Sequence, residues 1–249
     1  MQQREARIIV YKHNDMQDLE AKILVTPCSR GLIVSDAVFS MDGDIVDLPG
    51  LVALGKKYHL LTMIDEAHAT GVIGKTGHGT LEHFGSTCKP DILMGTLSKA
   101  LGSEGGYACA SKVIIDYLKN KARSFIFATS QTPAALAAAL RAIEVLEDEP
   151  QRAQSLQHNV DFFLNALHAE GVEAYSPTAI IPVIIGDEAT ALQVADELLA
   201  NGVLAPAIRY PTVAKGTARL RIALMATHTE AELAQTAKLI GAAIRKYKK

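Results

Sequence analysis

Three short apolar runs limit what this chain can fold into: Leu32-Ile33-Val34, Leu60-Leu61-Thr62-Met63-Ile64 and Ile92-Leu93-Met94. Each is too short for a helix and apolar on both faces, the pattern of strands covered from both sides. Helical segments fall between and around them. Residues 14–20 read as a capped helix start with Asn14 or Asp15 as the cap, and residues 48–58 carry Pro49 near a first turn. Asp42-Gly43-Asp44 marks a turn after Ala37-Val38-Phe39. Further strands are expected over residues 8–11, 107–111 and 124–128, and helices over 113–121 and 133–147. The alternation predicts an α/β fold with a mostly parallel sheet and flanking helices. Ligands in such sheets bind at the carboxyl ends of the strands.

The character changes around Glu147-Asp148-Glu149-Pro150. Residues 151–169 form a long amphipathic helix with Leu156, Val160, Phe163, Leu164 and Leu167 on one stripe. A strand over 180–185, a helix over 188–200 closed by Asn201-Gly202, and strands over 203–208 and 218–225 follow. Thr229 and Glu232 form a capping box for the last helix. The expected organisation is a partial large domain, residues 1–147, and a small α+β domain, residues 148–249.

Composition narrows the function classes. At 249 residues and 49% hydrophobic content the chain can bury a sizeable core. A net charge of −2 and the lack of a long basic run argue against nucleic acid, Lys246, Lys248 and Lys249 being a solvated helix end. Cys28, Cys88 and Cys109 are scattered and form no CxxC, which points to a reducing compartment and to neither disulfides nor a metal site. No apolar run reaches the roughly 18 residues of a membrane span. Met1-Gln2-Gln3-Arg4-Glu5 lacks the apolar core of a signal peptide. The expectation is a soluble, cytoplasmic protein.

Ser40, Asp65, His68, Thr96 and Lys99 all fall just past expected strand ends. A lysine at such a strand mouth, partly desolvated, is a nucleophile able to condense with a carbonyl. Thr96 and Ser98 add hydroxyls, and Gly102, Gly105 and Gly106 allow close approach of backbone to a ligand. Asp65 needs a cation or donors if buried. A protonated ring nitrogen of a cofactor would serve, with His68 reaching a second polar atom of that ring; a carboxylate that merely caps a turn is the plain alternative. Arg219 and Arg221 alternate with apolar residues, so both face one side of a strand, either towards a substrate carboxylate or towards solvent. Thr212 lies in the loop before them.

A nucleotide-binding reading competes. Asp65-Glu66-Ala67-His68 has the form of a magnesium-binding box, and residues 69–76 fit a relaxed phosphate loop. The context is wrong. Gly77-His78-Gly79 follows where a helix should start, and the acidic box precedes the loop directly.

Taken together, Val38-Phe39-Ser40-Met41-Asp42-Gly43-Asp44, Asp65-Glu66-Ala67-His68-Ala69-Thr70-Gly71, Gly95-Thr96-Leu97-Ser98-Lys99 and Ala218-Arg219-Leu220-Arg221 resemble the α-oxoamine synthases. These are pyridoxal-phosphate enzymes of the aspartate-aminotransferase fold, fold type I. The likeness covers essentially the whole chain. It implies that Lys99 holds the cofactor covalently and then moves a proton at the substrate Cα. Asp65 would pair with the pyridine nitrogen, and His68 would bond the phenolic oxygen. Ser40 and Ser98 would contact the cofactor, Thr96 its phosphate, and Thr129 the phosphate in the partner subunit of a homodimer. Arg221 would hold the amino-acid carboxylate, and Thr212 would touch substrate. The run Asn120-Lys121-Ala122-Arg123-Ser124-Phe125-Ile126-Phe127 points to the family members that condense L-alanine with a pimeloyl thioester (CoA or carrier protein), losing CO2, in biotin biosynthesis. Members that make 2-amino-3-ketobutyrate are the nearest alternative, and an inactive dimerisation module is another. The resemblance also implies a preceding glycine loop for the phosphate and a histidine stacked on the ring. Neither is recognisable here, His13 lying too early, so the expectation is a truncated chain with part of its sheet missing and apolar surface exposed.

Overall fold

The computed structural model describes residues 6–26, 28–85 and 87–247. Met1 to Glu5, Lys248 and Lys249 lie outside it, and with them the N-terminal leader reading and part of the lysine-rich tail. Helix α1, Met16–Leu24, starts at Asp15, whose carboxylate accepts from the backbone N–H groups of Gln17 and Asp18. Asn14 is not the cap; it sits at φ 52° and ties Ile45 and Asp47 to the chain's start. Strand β1, Leu32–Asp36, is followed by α2, Leu48–Tyr58, capped by Asp47 and ended by His59 in the left-handed region. Strand β2 is Leu61–Asp65. A Cβ on Gly55 would lie 2.4 Å from Thr62 Cγ2, so glycine lets α2 lie close on β2.

A glycine-rich turn leads to the short helix α3, Thr80–Phe84, and then to β3, Ile92–Thr96, and β4, Gly106–Ala110. The sheet order is β1-β2-β3-β4, the first three parallel and β4 antiparallel to β3. Asp36 pairs with Asp65 across β1 and β2, and Gly95 with Tyr107 across β3 and β4. The core beneath this sheet gathers Val38, Leu48, Leu51 and Ile64.

Helices α4, Lys112–Lys121, α5, Arg123–Ile126, and α6, Pro133–Asp148, come next. Neither α4 nor α5 has a buried residue, and α6 buries only Ala139. Val113, Tyr117, Phe125, Phe127, Leu136 and Leu140 are all exposed, leaving a broad apolar face.

Helix α7, Gln151–Ala169, opens the second unit, followed by β5, Ile180–Gly186, α8, Glu188–Ala200, β6, Ala207–Ile208, β7, Ala218–Ala223, and α9, Glu230–Tyr247. The strands form an antiparallel sheet in the order β5-β7-β6. Phe163, Leu167, Val194, Leu198, Leu220 and Ile240 fill its core. The capping box is present: Thr229 N–H donates to Glu232, and Glu232 N–H donates to Thr229 Oγ1.

Three expected strands are corrected. Residues 8–11 form no strand; Ile8 and Val10 stand exposed and no neighbouring strand pairs with them. Residues 124–128 belong to α5 and the turn after it, because a short apolar run does not by itself distinguish strand from helix. Residues 203–208 shrink to β6, since Pro206 lacks the N–H that a longer ladder needs. Among the described residues no helix is long and apolar enough to cross a membrane.

Candidate active site

The two units meet where the turn after Phe39 docks on β7. Gly43 C=O accepts from Thr178 Oγ1 at 2.8 Å, Arg219 Nη1 donates to Asp42, and Arg221 Nε donates to Ser40 C=O. A cavity of about 390 Å³ opens there, lined by Asp36, Phe39, Ser40, Thr212 and Arg219 among others.

Asp65 ends β2 and Thr96 ends β3, the strand beside it, so both lie at the carboxyl edge of the parallel sheet. Asp65 Oδ1 accepts from Ala67 N–H at 2.8 Å, which fixes one oxygen and leaves the other uncommitted among the described residues. Lys99 sits in the tight loop after β3, held by Leu97 N–H to Gly105 C=O and Ser103 N–H to Leu97 C=O. Within that loop Thr96 Oγ1 bonds Ser98 Oγ at 2.7 Å and donates to Gly105 C=O. The desolvation expected of Lys99 is not observed: the residue is exposed, because the loop has no covering element among the described residues. Gly71 is at φ 81°, and a Cβ there would meet Ala100 Cβ at 2.5 Å, so the turn carrying His68 packs directly on the lysine loop.

His68 is half-buried and has no side-chain hydrogen bond among the described residues. Burial first, then the charges of Lys99 and Arg221, push its pKa down to about 4 against the opposing pull of Asp65. The imidazole is therefore neutral at pH 7. The unfolded chain, with an ordinary value of 6.5, binds that proton more readily. Above 6.5 the group contributes nothing; as pH falls towards 4 the native state loses stability relative to the unfolded chain. The full shift would be worth roughly 3 kcal/mol, and solvent access to the half-buried ring reduces this to about 1–2 kcal/mol. Urea unfolding of His68→Gln against the parent chain should show equal stability at pH 7.5 and a relative gain for the variant at pH 4.5.

The remaining expected residues are placed as follows. Arg219 is 7% exposed and committed to Asp42 and Met41 C=O, so it joins the two units. Arg221 is half-buried and, among the described residues, engages only its Nε, leaving its terminal nitrogens for a ligand. Neither lies on a solvated edge, because β7 is the central strand. Thr212 is exposed at the cavity rim. Thr129 is exposed between α5 and α6; Gln131 Nε2, two residues on, donates to Glu104 C=O and ties this segment to the lysine loop.

Glu66 turns away from the site. It is 4% exposed, accepting from Thr70 Oγ1 and Thr80 N–H, and Thr70 Oγ1 in turn bonds the Tyr107 hydroxyl at 2.9 Å. It staples the glycine-rich turn rather than facing a metal, and the turn runs into no long helix, so the nucleotide-binding reading loses its geometry. Two residues escape sequence reasoning. Tyr107 lies across Gly95, where a Cβ would meet its hydroxyl at 2.5 Å. Asp36 ends β1 beside Asp65; its signal was the acid closing the first strand, as Asp65 closes the second.

A family model for aminotransferase class I and II matches residues 1–240. The 8-amino-7-oxononanoate synthase 1 of Bacillus subtilis is 48% identical over 233 residues, 93% of this chain and 59% of that protein. The 8-amino-7-oxononanoate synthase of Lysinibacillus sphaericus is 48% identical over 232 residues, 92% of this chain and again 59% of the relative. The chain thus spans about three fifths of the length of the curated relatives it matches. A serine palmitoyltransferase from S. paucimobilis, solved with a bound PLP-myriocin aldimine, superposes with a TM-score of 0.92 at 29% identity, over 99% of this chain and 63% of that one. The 8-amino-7-oxononanoate synthase from Francisella tularensis gives a TM-score of 0.80 at 28% identity, over 96% of this chain and 69% of that one.

Proposed function

We infer, since the chain belongs to the aminotransferase class I and II family, that it carries the lysine-bearing part of a pyridoxal-phosphate-dependent 8-amino-7-oxononanoate synthase. The reaction joins L-alanine to a pimeloyl thioester, of CoA or a carrier protein, and releases CO2 and the thiol. The observation that supports this best is the arrangement at one sheet edge. Asp65 and Thr96 end neighbouring strands, the Lys99 loop packs on the His68 turn, and Arg221 faces the same place from the second unit.

The donor set fits the cofactor: an amine, a carboxylate with a free oxygen, a neutral imidazole and clustered hydroxyls. Pyridoxal phosphate, when bound, supplies an electron sink for the carbanion formed beside the amino-acid nitrogen. Lys99 would hold it covalently and afterwards move the proton at the alanine Cα. Asp65 would keep the pyridine nitrogen protonated, and His68 would bond the phenolic oxygen. Thr96 would bind the phosphate by turning its hydroxyl from Gly105 C=O, and Ser98 would contact the cofactor, with Ser40 touching it from the docked turn. Arg221 would fork onto the alanine carboxylate, and Thr212 would line the acyl path. We assign residues 1–147 to the cofactor-bearing domain and 148–249 to the domain that brings Arg221. The exposed apolar face around Phe125 and Phe127 supports a homodimer, in which Thr129 would reach the partner's phosphate. The three free cysteines suit a reducing, cytoplasmic setting.

The test is chemical. The chain is mixed with pyridoxal phosphate, reduced with borohydride and digested, and the modified peptide is sequenced by mass spectrometry. Modification concentrated on Lys99 is expected. Uniform low labelling of exposed lysines would overturn the reading, and a stable dimer in that case would favour a dimerisation module, which the apolar face also suits.

A further inference from the structure

Thr70 lies in the turn that follows β2, two residues beyond His68. The turn is closed by its own backbone, Ala69 N–H and Thr70 N–H both donating to Glu66 C=O. Asp65 Oδ1 accepts from Ala67 N–H in the same turn, so its placement sets both the Asp65 carboxylate and the His68 ring. Among the described residues, the backbone ties this turn to β3 only at its start, where Glu66 N–H donates to Met94 C=O. Side chains supply the rest. Thr70 Oγ1 donates to Glu66 Oε2 at 3.0 Å and lies 2.9 Å from the Tyr107 hydroxyl of β4. A hydroxyl has one proton and a carboxylate only accepts, so the Thr70 proton goes to Glu66, and Tyr107 is the donor to Thr70. Glu66 is 4% exposed, its other oxygen accepts from Thr80 N–H at 2.9 Å, and no cation pairs with it among the described residues. Burying a carboxylate without a cation is costly, and these directional bonds offset it. The other end of the relay is equally constrained. The Tyr107 ring lies across Gly95, its register partner, beside Thr96. Leu97 N–H, at the base of the lysine loop, donates to Gly105 C=O just before β4. Tyr107 and the Lys99 loop are therefore borne on one strand pair.

We propose that Thr70 is a positioning residue: its hydroxyl, accepting from Tyr107 and donating to Glu66, locks the turn that carries His68 and orients Asp65 onto the strand pair that carries Lys99. The role towards a cofactor rests on the function proposed above; the lock itself does not. His68 is the reporter, because burial and the Lys99 charge hold it down to about 4 and both depend on where the turn sits.

The experiment is an NMR titration of the His68 imidazole in the chain without cofactor, for the parent, Thr70→Val, Thr70→Ser and Tyr107→Phe. All three changes are neutral for neutral, so a shift reports geometry. Thr70→Val keeps the shape and loses the hydroxyl, and His68 should rise towards 6.5 by at least about 0.5. Tyr107→Phe should move it the same way, and Thr70→Ser, which keeps the hydroxyl, should match the parent. If Thr70→Val does not fold, Tyr107→Phe decides, since it removes one hydroxyl and keeps the ring over Gly95. Val160→Ala, in the core of the second unit, lowers stability and should leave His68 in place. An unmoved His68 in Thr70→Val and Tyr107→Phe, an equal shift in Thr70→Ser or Val160→Ala, or a parent value near 6.5 would overturn the lock. A second arm measures the share of borohydride-fixed pyridoxal phosphate on Lys99. Thr70→Val should lower it about 3- to 10-fold and Thr70→Ser should restore it; equal loss in both would reject positioning. If the parent chain shows no preference for Lys99, the proposed function fails, while the titration still decides the lock.

Discussion

Lys99→Ala will leave the chain folded and remove the site-specific borohydride label completely. The lysine is exposed, and no hydrogen bond or ion pair of its side chain is present among the described residues, so truncation should change stability by less than about 0.5 kcal/mol. The chemical loss has a different size. A covalent tether through an amine has no substitute in a methyl group, and proton transfer by a positioned side chain alone is worth about 10²- to 10⁴-fold in rate. Lys75, Lys89 and the other exposed lysines supply the background against which loss is judged. A physical readout accompanies the chemical one. The Lys99 charge is among the causes that hold His68 down to about 4, so its removal should let the imidazole titrate closer to 6.5. Lys99→Arg should abolish labelling equally while leaving the His68 value in place, because it keeps the charge and loses the nucleophile. Labelling of Lys99→Ala at the level of the parent would end the cofactor reading.

What could be read in the sequence followed from how local each signal is. The apolar runs that became β1, β2 and β3 were visible as short apolar stretches, but the expected cover on both faces is not observed: Leu32, Val34 and Leu61 are exposed, so one face of β1 and β2 is bare. The Thr229–Glu232 capping box was visible because both partners lie within one turn. Residues 124–128 were misread because their apolarity serves an exposed face rather than a sheet, and composition does not report what covers a surface. Within the site, the order of Ser40, Asp65, Thr96 and Lys99 along the chain was legible, Asp65 and Thr96 being the last residues of their strands and Ser40 and Lys99 lying beyond theirs. The separation of Arg219 from Arg221 was not: alternation placed both on one face, and only the docked turn at Met41 and Asp42 commits the first and frees the second. Asp36 escaped for a similar reason. Its meaning comes from the register that sets it against Asp65, and register is a property of two strands.

Phe163→Ala should destabilise the protein by about 3–5 kcal/mol, a large share of the roughly 5–15 kcal/mol that holds a native domain together. Phe163 is 0% exposed and sits on the α7 stripe with Leu156, Val160 and Leu167, in the same core as Leu220 of β7. Truncation leaves a cavity the size of a phenyl ring in the core shared with Leu156, Val160, Leu167 and Leu220, and such cavities close only in part. Phe127→Ala provides the contrast. Phe127 is 75% exposed on the face beside α5, so its loss should cost less than about 0.5 kcal/mol and lower self-association instead. Urea unfolding followed by circular dichroism measures both. The two changes delete the same atoms, and only burial differs, so near-equal losses would mean that the α7 core is not packed as described. The consequence extends to the chemistry. β7 carries Arg219 and Arg221 on the strand whose inward side Phe163 helps to support, and those arginines hold the turn at Ser40 and Asp42. A loosened second unit should therefore weaken binding of an amino-acid carboxylate at Arg221 before it affects labelling of Lys99, because the lysine loop is tied to β4 and to Gln131 rather than to β7.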